Sequence, residues 1–552
     1  MTDNEVKREQ DGDTRKMIVV ATGAALLIFL AIAFFARSPR SQLNIIQIAS
    51  LIVFTALLLR HGRTGVASLS ENRPEPPANG VRWELLLAPI LSAGIYASVL
   101  SSYFISDDYD TLFRFRSAPF EALADFARRG LSGISLRPAG FVSLILDYSI
   151  WRHDPFGYHL TNLLFHLISV LGIYFLCKNL GLDRETSASS SLLFSILPIH
   201  PEAVVWISSR FDLMATCLII WVAVLYLKFR RTGRWELYAL ALFLSCVAML
   251  SKETAFMTPL LLLSLEYFAA PNRDIRSAIL PLLGFGFLAA ATFSYRWIAL
   301  GGIGGYADRD GSLAVYKVGF KTFEGLFLRA PSQLLLGLNW YGPHIYSAVV
   351  IASLTAAVMI VLAFFYKPAR SNKGVIRFCL AWILIGYAPA HFLLLIGPGL
   401  TNSRILYLSS AGLAVLLALL LSGIEQAPMR MGLKFALILL LGLALSHNVA
   451  AWRRVGDLSQ ELLTTLKTLV PDPPPQARFI FHQMPTYIDG IPYHGTYYQA
   501  VNLTYNRTDL GARSEEAAVS GASAAPVNSA GPPTIKVRWL GKTNNLIELV
   551  ND

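Results

Sequence analysis

Charge is scarce in this chain: Asp, Glu, Lys and Arg make up 15% of its 552 residues, while 54% are hydrophobic. Water-soluble domains carry about a quarter charged residues, so this balance excludes an ordinary soluble enzyme. Cysteine is scarce too. Cys177, Cys217, Cys246 and Cys379 all fall inside apolar blocks, with neither metal-ligand spacing nor loop positions from which disulfides would staple a fold. They read as lipid- or core-facing side chains. The sequence has no GxGxxG, no P-loop and no tetratricopeptide-length repeat, so nucleotide binding and a solenoid find no support. The formal charge of +11 does not make a nucleic-acid surface, because Lys and Arg lie in short clusters between apolar blocks instead of forming one patch.

What is present is apolar length. About thirteen runs are long and hydrophobic enough to read as membrane spans, near residues 17–36, 42–59, 84–104, 160–178, 187–199, 211–227, 235–250, 255–270, 277–300, 345–366, 376–396, 405–424 and 433–448. The pattern predicts an all-α polytopic membrane protein. Lys7, Arg8, Arg15 and Lys16 precede the first run, which lacks a clear cleavage site and is followed at once by a second, so it is expected to stay as an anchor. With the N-terminus inside, the basic connections near residues 60–82, 178–185, 228–234, 273–276, 367–377 and 430–434 all face the cytoplasm, as the positive-inside rule asks. The external face then holds two long loops, 105–159 and 301–344, and the tail after about residue 449.

In the first loop, residues 119–130 read as an amphipathic helix along the membrane surface, with Phe120, Leu123, Ala124 and Ala127 on its apolar side. The second opens on Gly301, Gly302, Gly304 and Gly305 and turns amphipathic over 315–338, as a lid or a simple connector. The tail starts with Pro471, Pro473, Pro474 and Pro475; strand-like alternation at 478–482, 535–540 and 546–550 around a Ser/Ala/Gly/Pro-rich stretch, 514–533, predicts a small α+β appendage.

Given that topology, the polar residues at span ends gather on the external side. Asp107, Asp108 and Asp110 follow the third span; neighbouring carboxylates repel, so one of them holds a proton or the pair shares a divalent cation such as Mg or Mn, and the plain alternative is a solvated acidic turn. Arg137 precedes Pro138 beside a stretch expected at the interface, where a guanidinium suits a phosphate headgroup or simple anchoring. His159, Asn162 and His166 share one face where the fourth span enters the membrane, for function or for helix pairing. His200, Glu202, Arg210, Asp212, Lys252, Glu253, Arg404 and Tyr407 stand at outer span ends and complete a cavity lined by cations and carboxylates. A sugar phosphate on a polyprenyl lipid needs a base for the acceptor hydroxyl and cations for the departing phosphate, and this inventory supplies both.

The residues also match a known family. Asp107-Asp108, then Arg137-Pro138, the Asn-Leu-Leu-Phe-His run at 162–166, the Leu-Pro-Ile-His-Pro-Glu-Ala-Val-Val-Trp-Ile-Ser-Ser-Arg-Phe-Asp run at 197–212, Leu-Ser-Lys-Glu-Thr at 250–254 and the 404–412 stretch together resemble the transmembrane-and-TPR O-mannosyltransferases and their bacterial relatives. The resemblance covers about residues 100–455. It implies a GT-C fold and transfer of a mannose-like sugar, with inversion, from a polyprenyl-phosphate donor at the external face of a bacterial inner membrane. Asp107 or Asp108 is then the base, Arg137, Lys252 and Arg404 hold the lipid phosphate, and His200 and Glu202 shape the pocket. This chain departs from the family in lacking the TPR array and in having two extra spans before the usual first one. The expected organisation is residues 1–82 for tail and extra spans, 83–455 for the catalytic membrane domain and 456–552 for the appendage. The acceptor, protein or glycan, stays open. A polyprenyl-diphosphate glycan ligase or polymerase, a secondary transporter and a non-catalytic scaffold are the competing classes; a transporter is expected to show related halves and midplane charge, which the sequence does not.

Overall fold

The computed structural model describes residues 83–116, 119–130, 134–269, 275–305, 319–341, 345–365, 373–391, 396–397, 399–493, 495–515, 532–542 and 545–550. The spans expected at 17–36 and 42–59 lie outside them. Among the described residues, five helical stretches are long and apolar enough to cross a membrane: Pro155–Asn179, Ile207–Thr232, Arg276–Leu300, Ser403–Ser422 and Ala427–Leu469. The chain is an integral membrane protein.

The first described helix, α1 (Trp83–Tyr96), leads into a loop and two short helices, α2 (Asp108–Phe115) and α3 (Pro119–Arg129), then α4 (Pro138–Trp151). Helix α5 (Pro155–Asn179) starts where Asp154 caps the Phe156 amide at 3.0 Å and Pro155 takes the first helical position. Helix α6 (Arg184–Ser195) starts on Asp183, whose carboxylate accepts from the Thr186 amide at 2.8 Å. Its 12 residues rise about 18 Å, so the run at 187–199 does not cross as one span. The chain turns before Pro198 and re-enters helix as α7 (Pro201–Val205). Helix α8 (Arg210–Thr232) ends on left-handed Gly233, and α9 (Trp235–Met249), α10 (Thr258–Phe268) and α11 (Ile275–Leu300) follow.

Residues 320–336 are helical throughout, as α12 (Phe320–Glu324), one π turn (Gly325–Arg329) and α13 (Ala330–Leu336). Helices α14 (Ile345–Phe365), α15 (Lys373–His391) and α16 (Tyr407–Ser422) complete the bundle with α17 (Ala427–Leu469). The 43 residues of α17 rise about 65 Å, twice a hydrocarbon core, so it continues well past the run at 433–448. Its far half stays helical because Leu462, Leu463 and Leu466 are buried on one stripe.

That far half carries the C-terminal segment: β1 (Arg478–His482), the hairpin of β2 (Tyr487–Ile488) and β3 (Ile491–Pro492), α18 (Tyr497–Tyr505), β4 (Gly511–Ser514), β5 (Thr534–Lys542) and β6 (Asn545–Val550). The sheet order is β4-β1-β5-β6; β1 is parallel to β4 and to β5, and β6 is antiparallel to β5. Helix α18 packs on α2, which bears the acidic turn.

Helix α3 packs on α4. Its buried edge is centred on Phe126, stacked on Phe141 with ring centroids 4.0 Å apart, and Phe120 is 73% exposed.

Candidate functional site

The residues singled out in the sequence sort into two layers. The deeper layer holds His159, Asn162, His166, His200, Arg210 and Tyr407, all buried. His159 Nε2 bonds the Ser102 carbonyl at 3.0 Å, His166 Nδ1 meets Tyr407 Oη at 2.7 Å, and His200 Nε2 meets Ser410 Oγ at 2.8 Å. Asn162 donates to the Val204 carbonyl at 3.1 Å and accepts from Arg210 Nε at 2.7 Å. Arg210 is fully enclosed: it pairs with Asp147 and donates from Nη2 to the Tyr158 carbonyl at 2.7 Å. These groups tie α4, α5, α7, α8 and α16 together. A buried guanidinium is tolerated when its charge is paired and its nitrogens find acceptors, and all three nitrogens do here.

The upper layer is the charged one. Glu202, in the first turn of α7, accepts from the Asn402 amide at 3.0 Å, from Ser403 Oγ at 3.1 Å, from the Arg404 amide at 2.9 Å and from Arg404 Nη1 at 2.5 Å. It therefore builds the turn before α16 and fixes the guanidinium that the turn presents. Arg404 lies over the Trp206 ring at 4.9 Å and 3.8 Å from Asp212, which also accepts from Lys252 Nζ at 2.7 Å. Glu253 takes a forked pair from Arg137, at 3.1 Å from Nε and 2.8 Å from Nη2, and a third bond from Arg296 Nη1 at 3.0 Å. Burial works to raise the Glu253 pKa, but Arg137, Lys252 and Arg296 outweigh it and hold it at about 2.

Arg137, Lys252, Arg296 and Arg404 thus face Glu202, Asp212 and Glu253, one cation more than the carboxylates of this set. Arg296 was not singled out in the sequence. Its signal was there, a lone arginine in the run at 277–300, where an ionised group is costly unless it serves a site.

The acidic turn splits in function. Asp108 is 2% exposed; its Oδ1 accepts from the Ser208 amide at 2.9 Å and from Ser208 Oγ at 2.5 Å, and its Oδ2 accepts from the Ile105 amide at 3.2 Å. Burial outweighs those bonds and pushes its pKa up to about 7. Asp110 is held by Arg114 Nε at 2.7 Å and Gln499 Nε2 at 3.0 Å. Asp107 keeps its solvent access and makes no cap hydrogen bond at the start of α2. Surrounding protein raises its pKa, Arg404 pulls it down and Asp110 pushes it up again.

Among the described residues no group of three or more His, Cys, Asp or Glu side chains gathers to hold a metal ion. Asp108 and Asp110 already spend their oxygens on protein donors, which leaves Asp107 as the open carboxylate of the turn. That donor set is thin for Mg or Mn, which favour several oxygens in octahedral geometry.

Against known proteins, residues 141–298 match the family model described as dolichyl-phosphate-mannose-protein mannosyltransferase. Human protein O-mannosyl-transferase TMTC3 is 36% identical over 124 residues, 22% of this chain and 13% of that protein. A Caenorhabditis elegans protein O-mannosyl-transferase is 28% identical over 249 residues, 42% of this chain and 35% of its own length. The chain therefore spans a minor part of these relatives. The fold is similar to that of ArnT from Cupriavidus metallidurans in the apo state, with a TM-score of 0.50 and 11% identity over 83% of this chain and 93% of that one. The matched residues contain Arg210, Asp212, Lys252, Glu253 and Arg296, so the stretch that builds much of the charged layer is also the stretch shared with the mannosyltransferase model, and the chain resembles the GT-C membrane glycosyltransferases.

Proposed function

We propose that the protein transfers one mannose-like sugar from a polyprenyl-phosphate carrier to an acceptor hydroxyl, with inversion, at the external face of a bacterial inner membrane. Asp107 is the general base. As the acceptor oxygen attacks the anomeric carbon, Asp107 takes its proton, the bond from that carbon to the phosphate oxygen breaks, and the electron pair leaves with the lipid phosphate. Arg404, Lys252 and Arg137 take up the charge that appears there, and Asp212, Glu202 and Glu253 hold those cations in place.

The observation that carries this reading is the contrast within the acidic turn: Asp107 has an open carboxylate beside Arg404, while Asp108 and Asp110 are engaged by protein donors. A base must reach its proton, and it works best when its pKa is lifted above the free carboxylate's, which the surrounding protein and Asp110 do here. The two relatives reported above are named protein O-mannosyl-transferases, which supports a mannose-like sugar and leaves a protein or a glycan as acceptor.

The test is to give purified protein in lipid two donors, a polyprenyl-phosphate monosaccharide and a polyprenyl-diphosphate oligosaccharide. Consumption of the first is expected. Consumption of the second alone makes it a glycan ligase or polymerase, and solute uptake without a lipid-linked sugar makes it a transporter.

A further inference from the structure

Both functional loops are strained, and both are held from the same segment. Ser106, just before Asp107, has a left-handed backbone with φ +47°; Leu400 and Asn402, just before Arg404, have φ +62° and +68°. Non-glycine residues adopt that region at a cost and persist there when the surroundings enforce it. At the first loop, Thr496 Oγ1 donates to the Ser106 carbonyl at 2.6 Å, Gln499 Nε2 donates to Asp110 at 3.0 Å, and Arg116 Nη1 donates to the Arg507 carbonyl at 2.6 Å. At the second, the partner is the turn of the β2–β3 hairpin. Thr401 Oγ1 donates to the Gly490 carbonyl at 2.7 Å, and the same turn is fixed from the segment after α13, where Asn339 Nδ2 donates to the Asp489 carbonyl at 2.7 Å. The approach there is backbone on backbone: a Cβ added to Gly399 falls 2.5 Å from Gly490 Cα.

The two contacts are close together in the chain, since Gly490 and Thr496 belong to one short stretch between β2 and α18. They are far from what they hold, with Thr496 390 residues from Ser106 and Gly490 89 residues from Thr401.

We infer that the C-terminal segment braces the site, with Thr496 and Gln499 positioning the Asp107 turn and the Asp489–Gly490 turn positioning Arg404. This rests on the reading of Asp107 as base and Arg404 as phosphate ligand, and it assigns the segment a part in transfer itself. A base and a phosphate cation must keep their separation to within a fraction of an ångström, and a displacement of about 1 Å can cost 10²-fold in rate. Holding both loops from one segment sets that separation. Gln499 has a second effect, because the Asp110 carboxylate it fixes is the like charge that pushes the Asp107 pKa up.

The test uses the full chain in nanodiscs. Thr496→Val keeps the shape and removes the bond to Ser106; kcat is expected to fall about tenfold with the donor KM unchanged, and Thr496→Ser to restore it. Gln499→Leu is expected to shift the acid limb of the pH–rate profile, and Gly490→Ala to raise the donor KM by displacing the Arg404 turn. Amide hydrogen exchange is read on the same samples: it should rise over residues 105–110 in Thr496→Val and over 400–404 in Gly490→Ala. Wild-type kcat and wild-type exchange in Thr496→Val overturn the brace. If the unaltered protein moves no sugar, the enzymatic reading fails instead, and the exchange data still decide whether the segment holds the loops.

Discussion

Asp107 and Asp108 are adjacent in sequence and opposite in circumstance, and the difference is measurable. Asp107→Asn removes the open carboxylate and is expected to lower kcat by about 10²- to 10⁴-fold, the range for a positioned base, with little change in stability. The raised Asp107 pKa places the acid limb of the rate profile above the ordinary carboxylate range, and Asp110→Asn, by removing a like charge, should move that limb to lower pH. Asp108 reports on folding. Its folded pKa lies at about 7 against a usual 3.8, so the folded state holds more protons between those values. The stability it contributes is full below about pH 4 and is lost as pH rises to about 7. Thermal unfolding of wild type should therefore show a decline across that window, and Asp108→Asn should flatten it; an unchanged slope in the variant contradicts the assignment.

The same pair shows how much of the site the sequence made legible. It named the acidic turn, but choosing between the two acids needs Ser208, which lies 100 residues away and takes up Asp108. Arg210 and Asp212 teach the converse lesson. Both sit at a span end, yet two residues along a helix turn about 200°, so one faces the enclosed network with Asp147 while the other faces Lys252. Asp147, inside an apolar stretch, is as hard to read from sequence as Arg296, because a single charge among hydrophobics has no visible partner until the helices pack.

At the scale of elements, Arg210 is the fastening between α4, α5 and α8. Arg210→Met strands a buried Asp147 and is expected to destabilise the protein by about 3–5 kcal/mol, whereas Arg210→Met with Asp147→Leu should recover most of that loss, read by thermal unfolding of the purified pair. Helix α17 makes a second fastening. A Cβ at Gly456 falls 2.0 Å from Ser102 Oγ and 3.0 Å from the Tyr103 amide nitrogen, so Gly456→Val must push α17 away from the segment leading to the acidic turn. A loss of about 1–3 kcal/mol is expected, accompanied by reduced transfer. Helix lengths were less readable than helix positions. The run at 187–199 reads as a span on hydrophobicity alone, but Pro198 and Pro201 break it into a short helix and a new start. The run at 433–448 gives no hint that the helix continues to Leu469, because the later stretch earns its helix from a buried stripe against the C-terminal segment.

For the whole molecule, charge marks the two ends of the bundle. Arg404 stands just before α16, with Asp107 close by; beyond the other end of α16, about 24 Å on, Arg430 and Lys434 lie 4.0 and 3.4 Å from Glu185. Single cysteines placed at 107 and at 434 in a cysteine-free background should label from opposite sides of sealed vesicles; labelling of both from one side contradicts the proposed orientation.

In the proposed reaction an open carboxylate at Asp107 works beside a cation-rich seat for a lipid phosphate. Its most direct test is turnover of a radiolabelled polyprenyl-phosphate monosaccharide by purified wild type, Asp107→Asn and Asp108→Asn, each shown to be folded. Transfer is expected from wild type, none detectable above the uncatalysed rate from Asp107→Asn, and substantial transfer from Asp108→Asn. Full turnover by Asp107→Asn contradicts it.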